Sequence, residues 1–265
     1  MPSKIGFIGV GNMGSAIIRG LASRDVVLHG VDHDTARLKA MVEEVGLIAH
    51  ASPHNLVREC DIVILAVKPQ HAEPLVKEIA TELDGSKCLV SICAGITQTM
   101  FKDWTGGLCP VVRVMPNTPA LVGEGVFAVC LDDNDLSDAM RSAIPGLFEG
   151  IGQVHVLPEK LFDAFTGVIG SGPAYVFYFM EALVESAVAL GLSRPQATQM
   201  VKGLFSGSAR LAAESDLSIT QLREMVTSPG GTTIRALTHF DRQGVRGSII
   251  DGAFESYLRS VELGE

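Results

Sequence analysis

From the amino terminus to about position 157, apolar residues come in short unbroken runs separated by stretches with a helical repeat. Lys4 to Ile8 and Val26 to Val31 open the series. Ile62-Val63-Ile64-Leu65-Ala66-Val67, between Asp61 and Lys68, is its purest member. Cys88 to Ile92, Val111 to Met115, Val126 to Val129 and Gln153 to Val156 follow. Continuous runs of this length suit strands buried on both faces. Between them Ile17, Ile18 and Leu21, then Leu38, Met41, Val42 and Val45, recur at the spacing of one helix face. Gly46 ends the second of these helices, and Ser52-Pro53 has the form of an N-cap and first turn opening a short one. Gln70 to Leu83 and about Leu136 to Phe148 are helical as well. Strands alternating with helices in this way predict a doubly wound, mostly parallel sheet, an α/β fold.

The pattern changes at about Pro158. Strand signals stop, and the chain to residue 265 reads as helix throughout, so two domains are expected, 1–157 and 158–265. Gly170-Ser171-Gly172-Pro173 breaks the chain before a helix over Ala174 to Leu190. That helix is apolar nearly all round, relieved by Glu181, Glu185 and Ser186, and such a helix must be covered on most faces. A lone chain of this size rarely encloses one, which points to a subunit interface. A second helix runs from near Ser193 to about Glu214. Ser218-Ile219-Thr220-Gln221 has the form of a capping box, and two further helices flank Gly244.

The first strand runs straight into Gly9-Val10-Gly11-Asn12-Met13-Gly14, and a helix follows. Strand, G-x-G-x-x-G and helix together form the dinucleotide-binding arrangement of a Rossmann-like sheet. One glycine turns the chain, Gly11 lets a pyrophosphate approach the backbone, and Gly14 lets helix and strand pack closely. Asp32 closes the second strand about twenty residues further on, where an acid accepts hydrogen bonds from the ribose hydroxyls. An N-cap for the next helix is the other reading of Asp32, and Asp34 competes for that post. An acid here repels a 2′-phosphate and His33 and Arg37 soften the repulsion, so NADPH and NADH both stay open. Lys68-Pro69 sits at a carboxyl strand end, either as a solvated loop cation or beside the cofactor. Cys93 and Ala94 are small enough to leave room for a nicotinamide ring. Pro116 and Pro119 lock the turn between them, and Asn117 is placed with the cofactor-binding residues.

Late in the chain, Thr227-Ser228-Pro229-Gly230-Gly231-Thr232-Thr233 reads as the end of one helix, a tight turn and the start of another. Thr232 or Thr233 is expected to cap the second helix. A glycine turn feeding a helix start directs backbone N–H groups outward beside a positive dipole end, a seat for a carboxylate. The amides at Gly230 and Gly231 are the expected donors.

Composition narrows the class. A net charge of -9 argues against a nucleic-acid or anionic-membrane surface, because both need clustered Lys and Arg. Five scattered cysteines without a C-x-x-C pair fit a reducing compartment better than disulfides or a zinc site, so a cytoplasmic protein without a metal is expected. No apolar run is expected to be long enough to cross a bilayer.

Taken together, Ile5-Gly6-Phe7-Ile8-Gly9 through Met13, Ala66-Val67-Lys68-Pro69, Arg113-Val114-Met115-Pro116-Asn117-Thr118-Pro119, Gly170-Ser171-Gly172-Pro173-Ala174-Tyr175 and Thr227 to Thr233 resemble the pyrroline-5-carboxylate reductases, in that family's order and over nearly the whole chain. The resemblance implies reduction of 1-pyrroline-5-carboxylate to L-proline by NADPH or NADH, the last step of proline biosynthesis. It also implies a helical carboxyl-terminal domain that interlocks two subunits as a homodimer, with dimers often assembled into a ring. Carried over by position, Ile8, Gly9, Val10, Gly11, Asn12 and Met13, with Ala66, Val67, Lys68 and Pro69, line the cofactor. Asn55 lies near its adenosine part, and Cys93 and Ala94 approach the nicotinamide. Ser228, Gly231, Thr232 and Thr233 hold the substrate carboxylate, and the Thr233 hydroxyl sits nearest the ring nitrogen as the catalytic group.

Two other functions fit parts of the pattern. A β-hydroxyacid dehydrogenase shares the glycine motif and a helical second domain, but it depends on a lysine in the helix after its own glycine segment, and the helix after Gly172 has none. A dinucleotide sensor without turnover has no use for the carboxylate seat at Ser228 to Thr233.

Overall fold

The computed structural model describes residues 3–264. Met1, Pro2 and Glu265, which the expected domains include, lie outside the described residues. The chain divides into two compact units, one reaching to Ser171 and taking in the chain from Ser256 onward, the other Gly172–Glu255.

The first unit is built on one sheet whose strands are β1 (Ser3–Ile8), β2 (Val26–Val31), β3 (Ile48–Ala49), β4 (Ile62–Leu65), β5 (Cys88–Ser91), β6 (Val111–Met115), β7 (Gly125–Cys130) and β8 (Gly152–Val156). Their order is β3-β2-β1-β4-β5-β6-β7-β8. All neighbours pair in parallel except β6 and β7, so the expected mostly parallel sheet is present. The two-residue β3, which pairs His29 with Ile48 and Gly30 with Ala49, is too short to show in the hydrophobic pattern.

Alternation along the strands explains why both faces are buried. Ile5, Phe7, Ile62, Ile64, Val112 and Val114 point into one core, with Ile17, Ile18 and Leu21 of α1 (Asn12–Leu21) and Met41 of α2 (Thr35–Val45). Ile8, Val63, Leu65 and Leu89 point into the other, with α3 (Pro53–Glu59), α4 (Ala72–Ile79) and α5 (Gln98–Thr105). Each fully buried aliphatic side chain contributes about 1.5–3 kcal/mol. The sequence reading places no helix at α5. It takes Gln70 to Leu83 as one helix, where short 3-10 turns flank α4. The helix expected near Leu136 to Phe148 is α6 (Asp138–Gly146), started by Ser137, whose side chain accepts from the Met140 N–H.

The expected boundary at 157/158 is not where the compact units divide. After β8 the chain forms α7 (Phe162–Phe165) and a π-turn, Thr166–Gly170. Phe162 and Phe165 are buried with Ala128 and Cys130 of β7. Arg113, itself buried in β6, pairs with Glu159 at 3.3 Å and lies over the Phe162 ring. These contacts assign residues 158–171 to the sheet's own unit.

The second unit holds α8 (Gly172–Ala189), α9 (Arg194–Glu214), α10 (Ile219–Met225), α11 (Thr232–Arg242) and the start of α12 (Val245–Leu263). The capping box at Ser218 and Gln221 is present in both directions. No residue of α8 is buried, and Phe177 and Tyr178 are 63% and 76% exposed. The last turns of α12, from Ser256 on, belong to the first unit. There the Ser260 hydroxyl donates to Asp163 at 2.7 Å and Leu263 lies close to Gly95.

The membrane expectation needs correction. The run from Glu159 to Ala189 is helical except at Ser171, a bend between the π-turn and α8 at the expected break. Among the described residues this run is long and apolar enough, by length and composition, to cross a bilayer.

Candidate functional site

Strand order reverses at β1, which has β2 on one side and β4 on the other, and ligands of open α/β sheets sit at the carboxyl ends of strands flanking such a point. Gly9 has φ +102°, and a Cβ there would lie 2.5 Å from the Ala66 carbonyl oxygen of the loop after β4. A Cβ on Gly14 would run into the Gly9 carbonyl. A Cβ on Gly11 would meet only the end of the Arg37 side chain, at 3.8 Å, so the missing side chain there leaves open space over the turn. Gly11 is the N-cap of α1 and offers no capping side chain, so the first N–H groups of that helix are left for a ligand. This glycine cradle fits a pyrophosphate.

Asp32 braces the same turn. One carboxylate oxygen accepts the Val10 N–H at 2.6 Å and the other the Asp34 N–H at 2.8 Å. The N-cap of α2 is Asp34, which accepts the Arg37 N–H at 3.1 Å, so the competition between the two acids resolves with Asp32 on the glycine turn. A cleft of about 610 Å³ opens here. Gly11, Asp32, Ala66, Val67 and Lys68 line it, together with His33, Asp34, Arg37 and His71. All of these except His71 stand out in the sequence, and the one signal for His71 is its place in the turn after Lys68-Pro69.

Several other expected residues do not line this cleft with their side chains. Ile8 and Val10 are buried, so only their backbone is available to a ligand. Asn12 is exposed, Met13 and Ala94 are half-buried, and Pro69 opens a 3-10 turn. Cys93 is buried, and its thiol donates to the Val67 carbonyl at 3.3 Å, tying the end of β5 to the loop after β4. Burial pushes that thiol up to about 11. The side chain of Asn117 is engaged at both ends: its amide donates to the Ile169 carbonyl of the π-turn at 3.3 Å, and its oxygen accepts the Val126 N–H at 2.9 Å. Asn55 does not line the cleft but borders a separate groove with Lys4, His29, His50 and Arg58.

The late turn is formed as expected at Gly230, φ +66°, and of its two expected donors the Gly231 N–H is engaged within the turn. The N-cap of α11 is Gly231, and Thr232 and Thr233 occupy the first helical turn instead of capping it. The Gly231 N–H already donates to the Ser228 carbonyl at 3.0 Å, closing the turn. A Cβ on Gly231 would lie 3.1 Å from that same oxygen. With no side-chain cap, the outward donors are the N–H groups of Thr232 and Thr233. Ser228 is exposed and Thr233 half-buried beside them. These groups form an anion seat of neutral donors at the positive end of a helix.

A doubly wound sheet with a glycine cradle at its switch point, joined to a helical unit, defines a Rossmann-type nicotinamide-dinucleotide oxidoreductase. Residues 159–263 match the family model described as pyrroline-5-carboxylate reductase dimerisation, and residues 4–95 match one described as NADP oxidoreductase coenzyme F420-dependent. The pyrroline-5-carboxylate reductase of Methanosarcina acetivorans is 34% identical over 99% of this chain and 98% of its own. The crystal structure of Plasmodium falciparum pyrroline carboxylate reductase with NADP bound is similar at a TM-score of 0.88, with 32% identity over 99% of this chain and 98% of that one. The Coxiella burnetii pyrroline-5-carboxylate reductase gives 0.90 and 30%, covering both chains completely. The chain belongs to the pyrroline-5-carboxylate reductase family.

Proposed function

We propose that this chain reduces 1-pyrroline-5-carboxylate to L-proline with hydride from NADPH or NADH. The observation that carries the reading is the start of α11. Its uncapped N–H groups and the Ser228 hydroxyl form a carboxylate seat, in a chain that also has a dinucleotide cleft.

The substrate is a cyclic imine with one carboxylate. Thr232 and Thr233 N–H groups and the Ser228 hydroxyl take the carboxylate, where the α11 dipole favours negative charge. Fixing that group orients the ring, and orientation is the main lever the chain has over the rate. The glycine turn from Gly9 to Gly14 takes the pyrophosphate, Asp32 faces the adenosine ribose, and Ala66 to Lys68 flank the dinucleotide. When bound, the dinucleotide supplies the hydride. Hydride addition to the imine carbon converts the C=N π pair into a nitrogen lone pair, and one proton from solvent completes the amine. A threonine hydroxyl is too weak an acid to deliver that proton. The Thr233 hydroxyl hydrogen-bonds the ring nitrogen and holds it in place.

The partner is a second copy of the chain, seated on the exposed apolar face of α8. The charged pair of Glu185 and Arg194, both exposed, favours that covering over lipid. Five buried free cysteines suit a cytoplasmic location.

Mixing the protein with 1-pyrroline-5-carboxylate and either reduced nicotinamide is expected to oxidise the nicotinamide. No oxidation with either rules the function out. Thr233→Ala is expected to lower kcat roughly tenfold to a hundredfold, the worth of one hydrogen bond to a reacting group, with dinucleotide affinity nearly intact. Unchanged kcat removes Thr233 from the mechanism.

A further inference from the structure

The rim of the dinucleotide cleft carries a charge arrangement that the proposed reaction does not explain. Resting on the reading that this cleft holds the adenosine end of the cofactor, we propose that it selects a dinucleotide with a free ribose 2′-hydroxyl over a 2′-phosphate, and that Asp34 sets this preference by holding Arg37.

Asp32 is the fixed anion of the rim. Its side chain is 7% exposed, and both oxygens accept backbone N–H groups from the glycine turn and the chain after β2, so it cannot swing away from an incoming ligand. Each oxygen keeps a second lone pair for a ribose hydroxyl, which can donate to it. A 2′-phosphate has no comparable donor, and its negative charge meets the carboxylate at short range.

A cation at the rim would offset that repulsion, and Arg37 is the arginine that lines the cleft. Its Nε lies 3.1 Å from Asp34 Oδ2, while the other Asp34 oxygen accepts the Arg37 backbone N–H at 3.1 Å. One carboxylate thus caps α2 and pairs with the guanidinium. An arginine in such a pair presents less net positive charge to a ligand, and its Nε is held on the Asp34 side. His33 does not stand free of the acids either, because its Nδ1 lies 3.2 Å from Asp32 Oδ1. Lys68 and His71, across the cleft on the loop after β4, are its remaining basic side chains.

The two acids therefore differ in what replacing them does. Asp32 also braces the Val10 N–H, so changing it disturbs the glycine turn that any dinucleotide needs. Asp34 acts on the ligand only through Arg37. Asp34→Ser keeps a hydroxyl acceptor for the Arg37 N–H at the N-cap and releases the guanidinium.

Isothermal titration of the full-length protein with ADP-ribose and with 2′-phospho-ADP-ribose tests this without turnover. Wild-type protein is expected to bind ADP-ribose at least about tenfold more tightly, the effect of one repulsive charge contact at an exposed rim. Asp34→Ser is expected to tighten the 2′-phosphorylated ligand about tenfold and leave ADP-ribose nearly unchanged. Adding Arg37→Gln to that variant is expected to remove the gain. Asp32→Asn is expected to weaken ADP-ribose, because the glycine turn loses its brace, and to narrow the preference, because the repulsive charge is gone. Equal or tighter wild-type binding of the 2′-phosphorylated ligand overturns the preference. An Asp34→Ser variant with an unchanged affinity ratio and an unchanged melting temperature overturns the role of Asp34. Failure of both ligands to bind any of these proteins removes the dinucleotide reading itself, a result distinct from a reversed preference.

Discussion

Asn117 shows what a single residue can and cannot declare. Its two flanking prolines fix its direction, and an amide held that way reads as a ligand contact. In the structure its oxygen and its nitrogen are taken by Val126 N–H and the Ile169 carbonyl, two backbone groups far apart in sequence. The side chain is a bolt between the chain entering β7 and the π-turn that precedes α8. Removing it takes this partner from a part-buried N–H and a part-buried carbonyl, each loss costing about 1–3 kcal/mol. Asn117→Ala is therefore expected to lower stability by roughly 2–4 kcal/mol, read as a lower midpoint in urea at unchanged slope, while ADP-ribose affinity measured well below that midpoint changes little. A variant as stable as the parent but with weakened dinucleotide binding would return Asn117 to the cofactor. Cys93 teaches the same lesson: its size was legible, but the Val67 carbonyl that occupies its thiol was not. Gly9, Gly11 and Gly14 were legible down to their roles, because what they supply is the absence of a side chain, and neighbours cannot take that away.

At the scale of elements, periodicity located strands and long helices well, since burial on one or both faces leaves a repeat in the sequence. It could not say which body a short helix joins. Phe162 and Phe165 of α7 look like any helical pair, and only the open surface at Ala128 and Cys130 assigns them to the sheet. The two-residue β3 leaves no repeat at all, yet it is clasped to β2 by more than its ladder. The His50 N–H donates to the Gly30 carbonyl at 2.8 Å, and His29 Nδ1 meets His50 Nε2 at 2.8 Å, the two rings stacked. His29 is buried and its Nε2 has no partner. The groups that face it are His50, Lys4 of β1 and Glu59 of α3. Burial first, then His50 and Lys4, hold its pKa below the ordinary 6.5, against a smaller opposing pull from Glu59. The unfolded chain binds a proton at that site more readily than the folded one. The stabilisation from neutral His29 is thus complete above about pH 6.5 and drains away as pH falls through the lowered folded value. Melting temperature is expected to fall between about pH 7 and about pH 5, and His29→Leu is expected to flatten that part of the profile. An equally steep profile in the variant would place the acid sensitivity elsewhere.

The whole molecule poses a question that neither unit answers alone: what covers α8. Its sequence announced the problem, because a helix apolar nearly all round has little solvent face. In the single chain none of its residues is buried, and Phe177 and Tyr178 stand well out of the surface. Tyr178, with Phe179, Phe205 and Ile249, lines an apolar groove of about 590 Å³ in the same unit. Exposed aromatic patches of this kind mark a surface made to be covered. A bilayer and a second subunit are the two candidates, and the run from Glu159 to Ala189 meets the length and composition for the first. Glu185 favours the second. It lies within the run, is more than half exposed, and pairs with Arg194 at the start of α9. A lipid-facing ion pair would lose its hydration, whereas one at the edge of a protein interface keeps it. The match of residues 159–263 to a dimerisation domain agrees. The protein is expected to sediment as a dimer or a larger multiple in aqueous buffer without detergent. Phe177→Asp puts a carboxylate where an aromatic ring should be buried, and the uncompensated desolvation costs several kcal/mol per site. The two-fold symmetry of a dimer applies it twice. The variant is expected to sediment as a monomer at micromolar concentration with a lower melting temperature. A dimer that survives Phe177→Asp unchanged would move the interface off this face of α8. Recovery of the parent protein only in detergent would give the face to lipid.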